Sequence, residues 1–265
     1  MINHKHKFIF IEIHKTGTTS ICSFFENSIK DGFICDFPNG SKEKFHDYFG
    51  SVFEKVGVDR KADWSFCKKQ SVIAEYLKGF KIDVELIKHK PLDFFKSIFP
   101  EKYDEYFKFT FVRNPWSRAV SLYFRGENNF LLQHKTPTWE KQSFKDFVKD
   151  MQGAWHNCDG AFHSLGQKGL YKNQIDFARL LGSEKIETDF IGKTENLEND
   201  ARFICKKINL DFDEKIWSMQ GQRNISPKRK KEKKHYSEYY DKETKNIIAE
   251  KFAEDIEYFG YEFEG

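Results

Sequence analysis

The sequence predicts an α/β fold with a central, mainly parallel sheet flanked by helices. Residues 8–13 (FIFIEI) are almost continuously apolar, as in a parallel strand that is buried on both faces. Apolar side chains at helical spacing follow at 20–30. The pattern returns at 107–112, where a strand-like run precedes Pro115, and proline is favoured at the first position of a helix. Strands that alternate with helices in this way are typical of α/β proteins.

The remaining segments extend this alternation along the chain. Strands are expected at 8–13, 83–88, 107–112 and 189–193. Helices are expected at 20–30, 91–99, 114–126, 143–151, 173–182, 196–208 and 242–259. Because there is no repeat and no evident linker, residues 1–265 are expected to form a single domain with a sizeable core. With 29 Phe residues, that core is expected to use Phe where other proteins use Leu.

Composition and charge restrict the class of protein. An apolar fraction of 39% with 32% charged residues is typical of a soluble globular chain. The net charge of +3 is too small for nucleic-acid binding by bulk electrostatics, so any preference for anions must come from local clusters. No apolar run reaches the roughly 18 residues of a membrane span, and the run at 8–13 is too short for a signal peptide. We therefore expect a cytoplasmic protein with no stable membrane insertion and no nucleic-acid partner.

The cysteines indicate neither a disulfide framework nor a metal site. There are five, an odd number, and they are widely spaced: Cys22, Cys35, Cys67, Cys158 and Cys205. No CxxC pair or Cys/His metal spacing occurs, so we expect free thiols in a reducing compartment and no bound metal.

The loop after the first strand (14-HKTGTTS-20) has the composition of an oxyanion site. Gly17 permits a tight turn, and small residues keep side chains away from the loop centre. Backbone N–H groups can then point inward with the helix dipole behind them, while Lys15 adds a positive charge. A helix cap made by Ser and Thr is the simpler alternative. Lys15, Gly17 and the apolar strand directly upstream favour the anion site over that alternative.

The loop does not follow the nucleoside-triphosphate pattern GxxxxGK[ST]. Lys15 precedes the only glycine of the loop, and no GK[ST] occurs anywhere in the chain. An ordinary Walker-type kinase or GTPase is therefore disfavoured.

A second cluster follows the strand at 107–112. Arg113 ends that strand and can present a planar fork of N–H groups to a phosphate. Ser121 lies on the following helix, and Arg118 and Arg125 are placed near it by helical spacing. Taken alone, this cluster is better explained by structural ion pairs of Arg113 and Arg118, with Ser121 incidental.

Together the two motifs resemble the sulfotransferase family, and HKTGTTS with FVRNPWSRAVSLY is closest to the carbohydrate sulfotransferases. The segments 190–200 (FIGKTENLEND) and 236–263 are similar to later parts of that family. The chain departs from the usual pattern at His14, where the family has Pro, and in its single loop glycine. The resemblance implies a three-layer, P-loop-like fold.

The resemblance also implies the ligands and the site residues. The donor would be 3'-phosphoadenosine 5'-phosphosulfate (PAPS), and adenosine 3',5'-bisphosphate (PAP) would be the product. Its phosphosulfate would lie on the first loop (Lys15, Thr16, Gly17, Thr18, Thr19 and Ser20), and its 3'-phosphate on Arg113 and Ser121. The acceptor would be a hydroxyl, in the first instance of a carbohydrate. Lys15 would stabilise charge on the leaving group, and the hydroxyls of Thr18 and Thr19 would hold sulfuryl oxygens.

A general base is expected because a sugar hydroxyl is a weak nucleophile. His89 follows the predicted strand 83–88, at the end of a strand where parallel sheets place their sites, and it resembles the base of related carbohydrate sulfotransferases. A structural, helix-capping histidine is the alternative reading of His89, and Glu12 and Glu75 are carboxylate alternatives for the base.

Other segments carry weaker functional expectations. Lys193 and Thr194 could contact the nucleotide edge, and Glu195 could orient a basic group or form an ion pair. The basic run 227–234 is expected to be a mobile lid or a loop facing an acidic glycan, with nucleotide contacts from Arg223, Asn224 and Ser226 just before it.

Two other functions fit some of these features. An ATP-dependent phosphotransferase could use a variant phosphate loop, although the missing GK[ST] and the Arg113/Ser121 pair argue against it. A non-catalytic module could bind a nucleotide or a sulfated glycan, although Lys15 and a candidate base argue against that. The sulfuryl acceptor could also be a lipid, a small phenol or a tyrosine.

Overall fold

The computed structural model describes residues 1–29, 90–125, 143–149, 173–220 and 234–265. These residues contain a four-stranded sheet with the strands β1 (Ile2–Asn3), β2 (Phe8–Ile11), β3 (Phe107–Val112) and β4 (Phe190–Lys193). The strand order is β1-β2-β3-β4. β1 pairs with β2 in antiparallel fashion, while β2–β3 and β3–β4 are parallel. The predicted α/β fold with a mainly parallel sheet is confirmed.

Nine α-helices lie within the described residues. They are α1 (Thr18–Ser28), α2 (Leu92–Ile98), α3 (Pro100–Glu105), α4 (Pro115–Arg125), α5 (Phe144–Lys149), α6 (Leu197–Lys207), α7 (Glu214–Gln220), α8 (Lys242–Lys251) and α9 (Ala253–Phe259). Short 3-10 turns occur at Ile175–Phe177, Thr194–Asn196 and Tyr236–Tyr239. No helix in the described part of the chain is long and apolar enough to cross a membrane.

The chain divides into two compact units. The first comprises Met1–Val112 with Ala161–Gly221, and the second comprises Arg113–Gly160 with Gln222–Gly265. The whole sheet belongs to the first unit, with α1, α6 and α7 among its helices. The second unit contains α4, α5, α8 and α9. The expectation of a single domain over 1–265 stays a prediction.

Phenylalanine fills the core of the first unit, as the composition suggests. Phe10 and Phe109 lie side by side on the paired strands β2 and β3, with ring centroids 5.0 Å apart and planes only 9° from parallel. Phe24 and Phe25 on α1 are fully buried in the same cluster, to which α6 also contributes. The apolar face of α1 therefore packs on the sheet directly after the loop that connects it to β2.

One helix prediction is wrong, and a second is correct in position but not in continuity. The helix expected at 173–182 is only a 3-10 turn followed by an isolated bridge between Arg179 and Ile186. The difference arises because the carbonyl oxygen of Ala178 accepts from the N–H groups of Glu187 and Thr188 at 2.8 and 3.3 Å, so it serves a neighbouring segment rather than a further helical turn. The helix expected at 242–259 is two helices, since Phe252 leaves the helical conformation at φ −115° and ψ 31°.

Other elements were not predicted or lie elsewhere. β1, α3 and α7 have no counterpart among the predicted elements, although Pro100 at the start of α3 is a helix-start signal. β2 ends at Ile11 rather than at residue 13. The strand expected at 83–88 lies outside the described residues.

Gly192 lets β4 pack against β3. A Cβ atom at this position would lie 2.6 Å from Cε1 of the fully buried Phe111 and 3.2 Å from Cβ of Asp200. Since the Phe111 ring is enclosed by the core, it cannot move aside freely. The glycine of the FIGKTEN segment is therefore required by the close approach of an aromatic ring.

We predict that Gly192→Ala destabilises the protein by about 1–3 kcal/mol through overpacking. Chemical denaturation would measure the change. Adding Phe111→Leu should recover part of the loss, because the smaller side chain makes room for the methyl group. A Gly192→Ala protein as stable as the wild type would show that the ring adjusts without cost.

Candidate active site

The loop between β2 and α1 lies at the carboxyl edge of the parallel strands, which is where α/β sheets place their ligand sites. Lys15 and Gly17 both have left-handed backbone conformations, with φ values of 67° and 79°. For Lys15 this conformation is unfavourable, and such residues cluster at functional sites. The loop is half-buried at both residues.

The hydroxyl of Thr16 stabilises the loop internally. Its Oγ1 donates to the carbonyl oxygen of Ile13 at 2.9 Å, and the side chain is fully buried. Thr16 was expected among the ligand-binding residues. Because its hydroxyl proton is already donated to Ile13, Thr16 could bind a ligand through its backbone but not through that proton.

The first turn of α1 offers backbone donors. Gly17 is the N-cap residue, and no side chain in the described residues caps this helix. The first hydrogen bonds of the helix run from the Ser20 and Ile21 N–H groups to the Gly17 carbonyl, at 3.0 and 3.2 Å. The N–H groups of Thr18 and Thr19 come before these bonds and therefore have no intrahelical acceptors. The side chain of Thr19 is exposed, while that of Thr18 is only 6% exposed. An uncapped helix N-terminus of this kind can bind an anion.

The turn after β4 supports this loop. A Cβ atom on Gly17 would lie 3.4 Å from Cδ1 of Leu197 and 3.8 Å from Cγ2 of Thr194. The hydroxyl of Thr194 donates to the carbonyl oxygen of Val112 at 2.9 Å. Thr194 therefore joins the end of β3 to the turn that packs on Gly17. The observed partner of this hydroxyl is therefore the backbone of β3, whereas the nucleotide contact of Thr194 stays a prediction.

The residues on either side of Thr194 have different roles in the structure, because Lys193 is fixed through its backbone while Glu195 faces solvent. The Lys193 N–H donates to the carboxylate of Asp200 at 2.7 Å, which fixes the end of β4 on the first turn of α6. Glu195 is exposed to solvent.

Glu12 is buried in an ion pair. It is 1% exposed, and its Oε1 accepts from the terminal ammonium group of Met1 at 3.1 Å. Its Oε2 accepts from the Cys22 thiol at 3.3 Å. Burial, followed by the negative charge of Glu12, raises the pKa of that thiol well above its usual range. Both carboxylate oxygens are thus engaged, which disfavours Glu12 as a general base. His89 and Glu75 lie outside the described residues.

In the second unit, Arg113 bonds to a serine that was not singled out in the sequence. Its Nε and Nη2 donate to the hydroxyl oxygen of Ser117 at 3.1 and 2.8 Å. Ser121 lies one helical turn beyond Ser117 on the same face of α4 and is half-buried. Within the described residues no hydrogen bond joins Arg113 to Ser121. The i, i+4 spacing of Arg113 and Ser117 was the available signal.

Asn114 fixes the start of α4. Its Oδ1 accepts from the N–H groups of Trp116 and Ser117 at 3.1 and 3.3 Å, as a helix cap does. Its Nδ2 donates to the carbonyl oxygen of Glu262 at 2.8 Å. The sequence pattern RNP therefore places a cap between the arginine and the helix, and ties that cap to the segment after α9.

Arg118 has a different environment from Ser121. Its side chain is 5% exposed and lies over the ring of Phe252, 6.0 Å from the ring centroid. The side chain of Arg125 lies outside the described residues, as do Arg223, Asn224, Ser226 and all of the basic run except Lys234. Lys234 lies over the ring of Tyr239 at 5.8 Å. The described residues contain no group of three or more His, Cys, Asp or Glu side chains that could hold a metal.

The fold and the loop thus define an α/β protein with a potential anion site at the carboxyl edge of its sheet. A model of the sulfotransferase family matches residues 1–262. The chain therefore belongs to the sulfotransferase family, whose members are transferases that move a sulfuryl group. An uncharacterized protein of Archaeoglobus fulgidus is 33% identical over 111 residues, which span 41% of this chain and 72% of that protein. No solved structure matches the chain.

Gly17 and Gly182 offer a matched test of the loop. Both have φ of 79°, but only Gly17 has neighbours within reach of a Cβ atom. We predict that alanine at either position costs about 1–2 kcal/mol of stability because of the left-handed backbone. The family resemblance implies that the Gly17 loop binds the nucleotide, so only Gly17→Ala should also weaken binding of PAP. Denaturation and titration calorimetry on both variants would show this, and equal PAP affinity in the two variants would contradict it.

Proposed function

We propose that this sulfotransferase takes the sulfuryl group from PAPS and transfers it to a hydroxyl of a carbohydrate. The observation that carries the proposal is the uncapped start of α1, directly after Lys15, in a chain that the family model matches almost from end to end. A three-layer, P-loop-like fold, a single domain and a cytoplasmic location belong to the same proposal.

The loop residues are proposed to hold the phosphosulfate of the donor. The backbone N–H groups of Gly17, Thr18 and Thr19 would donate to its oxygens, because these donors have no partner inside the helix. The exposed hydroxyl of Thr19 and that of Ser20 would add donors, whereas Thr16 would contribute through its backbone. This division between backbone and hydroxyl donors follows from the burial and hydrogen bonds of each residue.

Lys15 is proposed as the catalytic cation. Sulfuryl transfer depends mainly on positioning and on charge stabilisation, as phosphoryl transfer does. Negative charge grows on the oxygen that bridges sulfur and phosphorus as PAP leaves, and an ammonium group next to this oxygen stabilises it. His89 is proposed to accept the proton of the attacking hydroxyl. Glu12 is not proposed for this role, because both of its carboxylate oxygens already bond to buried groups.

Arg113 and Ser121 are proposed to bind the 3'-phosphate. The planar guanidinium matches two phosphate oxygens, and this contact distinguishes PAPS from nucleotides that lack a 3'-phosphate. An ATP-dependent phosphotransferase would have no use for it. The preference for a 3'-phosphate therefore separates the two functions.

We predict that the protein binds PAP tightly and ADP weakly, and that Arg113→Ala lowers the affinity for PAP by about 2–3 kcal/mol. Titration calorimetry on both proteins with both nucleotides would measure this. Lys96→Ala, an exposed lysine of α2 in the first unit, serves as a control for the loss of one positive charge. Equal affinity for PAP and ADP that Arg113→Ala leaves unchanged would contradict the proposal and favour an ATP-dependent enzyme.

We also predict that Lys15→Ala slows sulfuryl transfer by about a hundredfold or more, while its affinity for PAP changes less, because the charge that Lys15 stabilises develops during the reaction. Alanine retains the Cβ atom, so the backbone strain at φ 67° is the same in both proteins. Transfer of radiolabelled sulfate from PAPS to a panel of oligosaccharides would provide the rates. Lys15→Arg should retain more activity than Lys15→Ala, and full activity in Lys15→Ala would exclude the role.

A further inference from the structure

One edge of the Arg113 guanidinium donates to the hydroxyl oxygen of Ser117. The Nε and Nη2 groups converge on Oγ of Ser117 at 3.1 and 2.8 Å. The hydroxyl oxygen therefore accepts two hydrogen bonds from a cation, and bonds of this type are stronger than bonds between neutral groups.

Ser117 is itself held in place. It is 8% exposed, and its N–H donates to Oδ1 of Asn114 at 3.3 Å. Asn114 is 3% exposed and donates to the carbonyl oxygen of Glu262. The hydroxyl that meets Arg113 thus belongs to the first turn of a helix whose start is anchored on two sides.

We propose that Ser117 is a positioning residue that aims the guanidinium of Arg113 at the 3'-phosphate and so sets the selectivity for 3'-phosphorylated nucleotides. This inference rests on the proposed function. The role follows from the contact between Arg113 and Ser117.

The geometry of a guanidinium explains how one serine can do this. Besides the Nε/Nη2 edge that meets Ser117, the planar guanidinium has a second, Nη1/Nη2 edge, and an edge of this kind presents two parallel N–H groups suited to two phosphate oxygens. A long arginine side chain loses rotational freedom when it binds a ligand. If Ser117 fixes the side chain beforehand, less of that cost falls on binding.

The test compares PAP with adenosine 5'-monophosphate (AMP), since the two differ only in the 3'-phosphate. We expect Ser117→Ala to weaken PAP binding about fivefold to tenfold and to leave AMP binding within about twofold of the wild type, as for the loss of one hydrogen-bonding partner. Ser117→Thr retains the hydroxyl and should keep most of the preference. Alanine is a good helix former, so the variant should fold, and thermal unfolding would check this.

A double-mutant cycle with Arg113→Ala separates positioning from direct binding. If Ser117 acts through Arg113, then Ser117→Ala should have no further effect on the ratio of the PAP and AMP affinities once Arg113 is alanine. An effect of the same size in the Arg113→Ala background would mean that Ser117 contacts the phosphate itself, and would overturn the positioning role.

The outcomes distinguish this inference from the proposed function. A wild-type protein that binds PAP and AMP equally would overturn the proposed function and the inference with it. A wild-type protein that strongly prefers PAP, together with a Ser117→Ala variant that prefers it equally, would overturn only the role of Ser117. Equal weakening of PAP and AMP in Ser117→Ala would also overturn it, because a general structural defect does not discriminate between the two ligands.

Discussion

The parallel pairing of β2, β3 and β4 is the constraint on which the rest of the first unit depends. It brings three strand ends to one edge of the sheet, so that the loop after Ile11, the carbonyl oxygen of Val112 and the turn after Lys193 become neighbours. Two close contacts maintain this arrangement. The Phe111 ring occupies the space that a side chain at position 192 would fill, and Leu197 packs on Gly17. Glycine is required at position 192 for steric reasons and at position 17 for its left-handed backbone, with φ of 79°.

The loop after β2 shows how such a scaffold can prepare a site for an anion. The hydroxyl of Thr16 is turned inward to Ile13, and the helix start is left without a side-chain cap. The backbone N–H groups at the start of α1 therefore donate to none of the described side chains that could cap this helix. In the second unit the opposite is true of α4, whose start is capped by Asn114 and tied to the chain after α9. There the arginine before the helix, rather than the helix dipole, is the proposed anion ligand.

The sequence predicted the elements whose signals are local. The apolar runs of β2 and β3 and the proline of α4 are enough to locate those elements, and the loop composition is enough to suggest an anion site. Features that depend on tertiary contacts were not predicted. The Ala178 carbonyl bonds to the distant N–H groups of Glu187 and Thr188 instead of continuing a helix, and the ion pair of Glu12 is apparent only once Met1 and Cys22 lie beside it. The contact of Ser117 with Arg113 was not predicted either, because their i, i+4 spacing alone does not distinguish Ser117 from Ser121 as the partner of Arg113.

The most direct measurement is a crystal structure of the protein in complex with PAP. The loop from Lys15 to Ser20 is proposed to bind the 5' end of the nucleotide, so the 5'-phosphate should lie within hydrogen-bonding distance of the N–H groups of Thr18 and Thr19. Density for PAP with its 5'-phosphate on that helix start is the result that we predict. Bound PAP whose 5'-phosphate lies elsewhere, with the start of α1 in contact with solvent alone, would contradict the assignment of the loop.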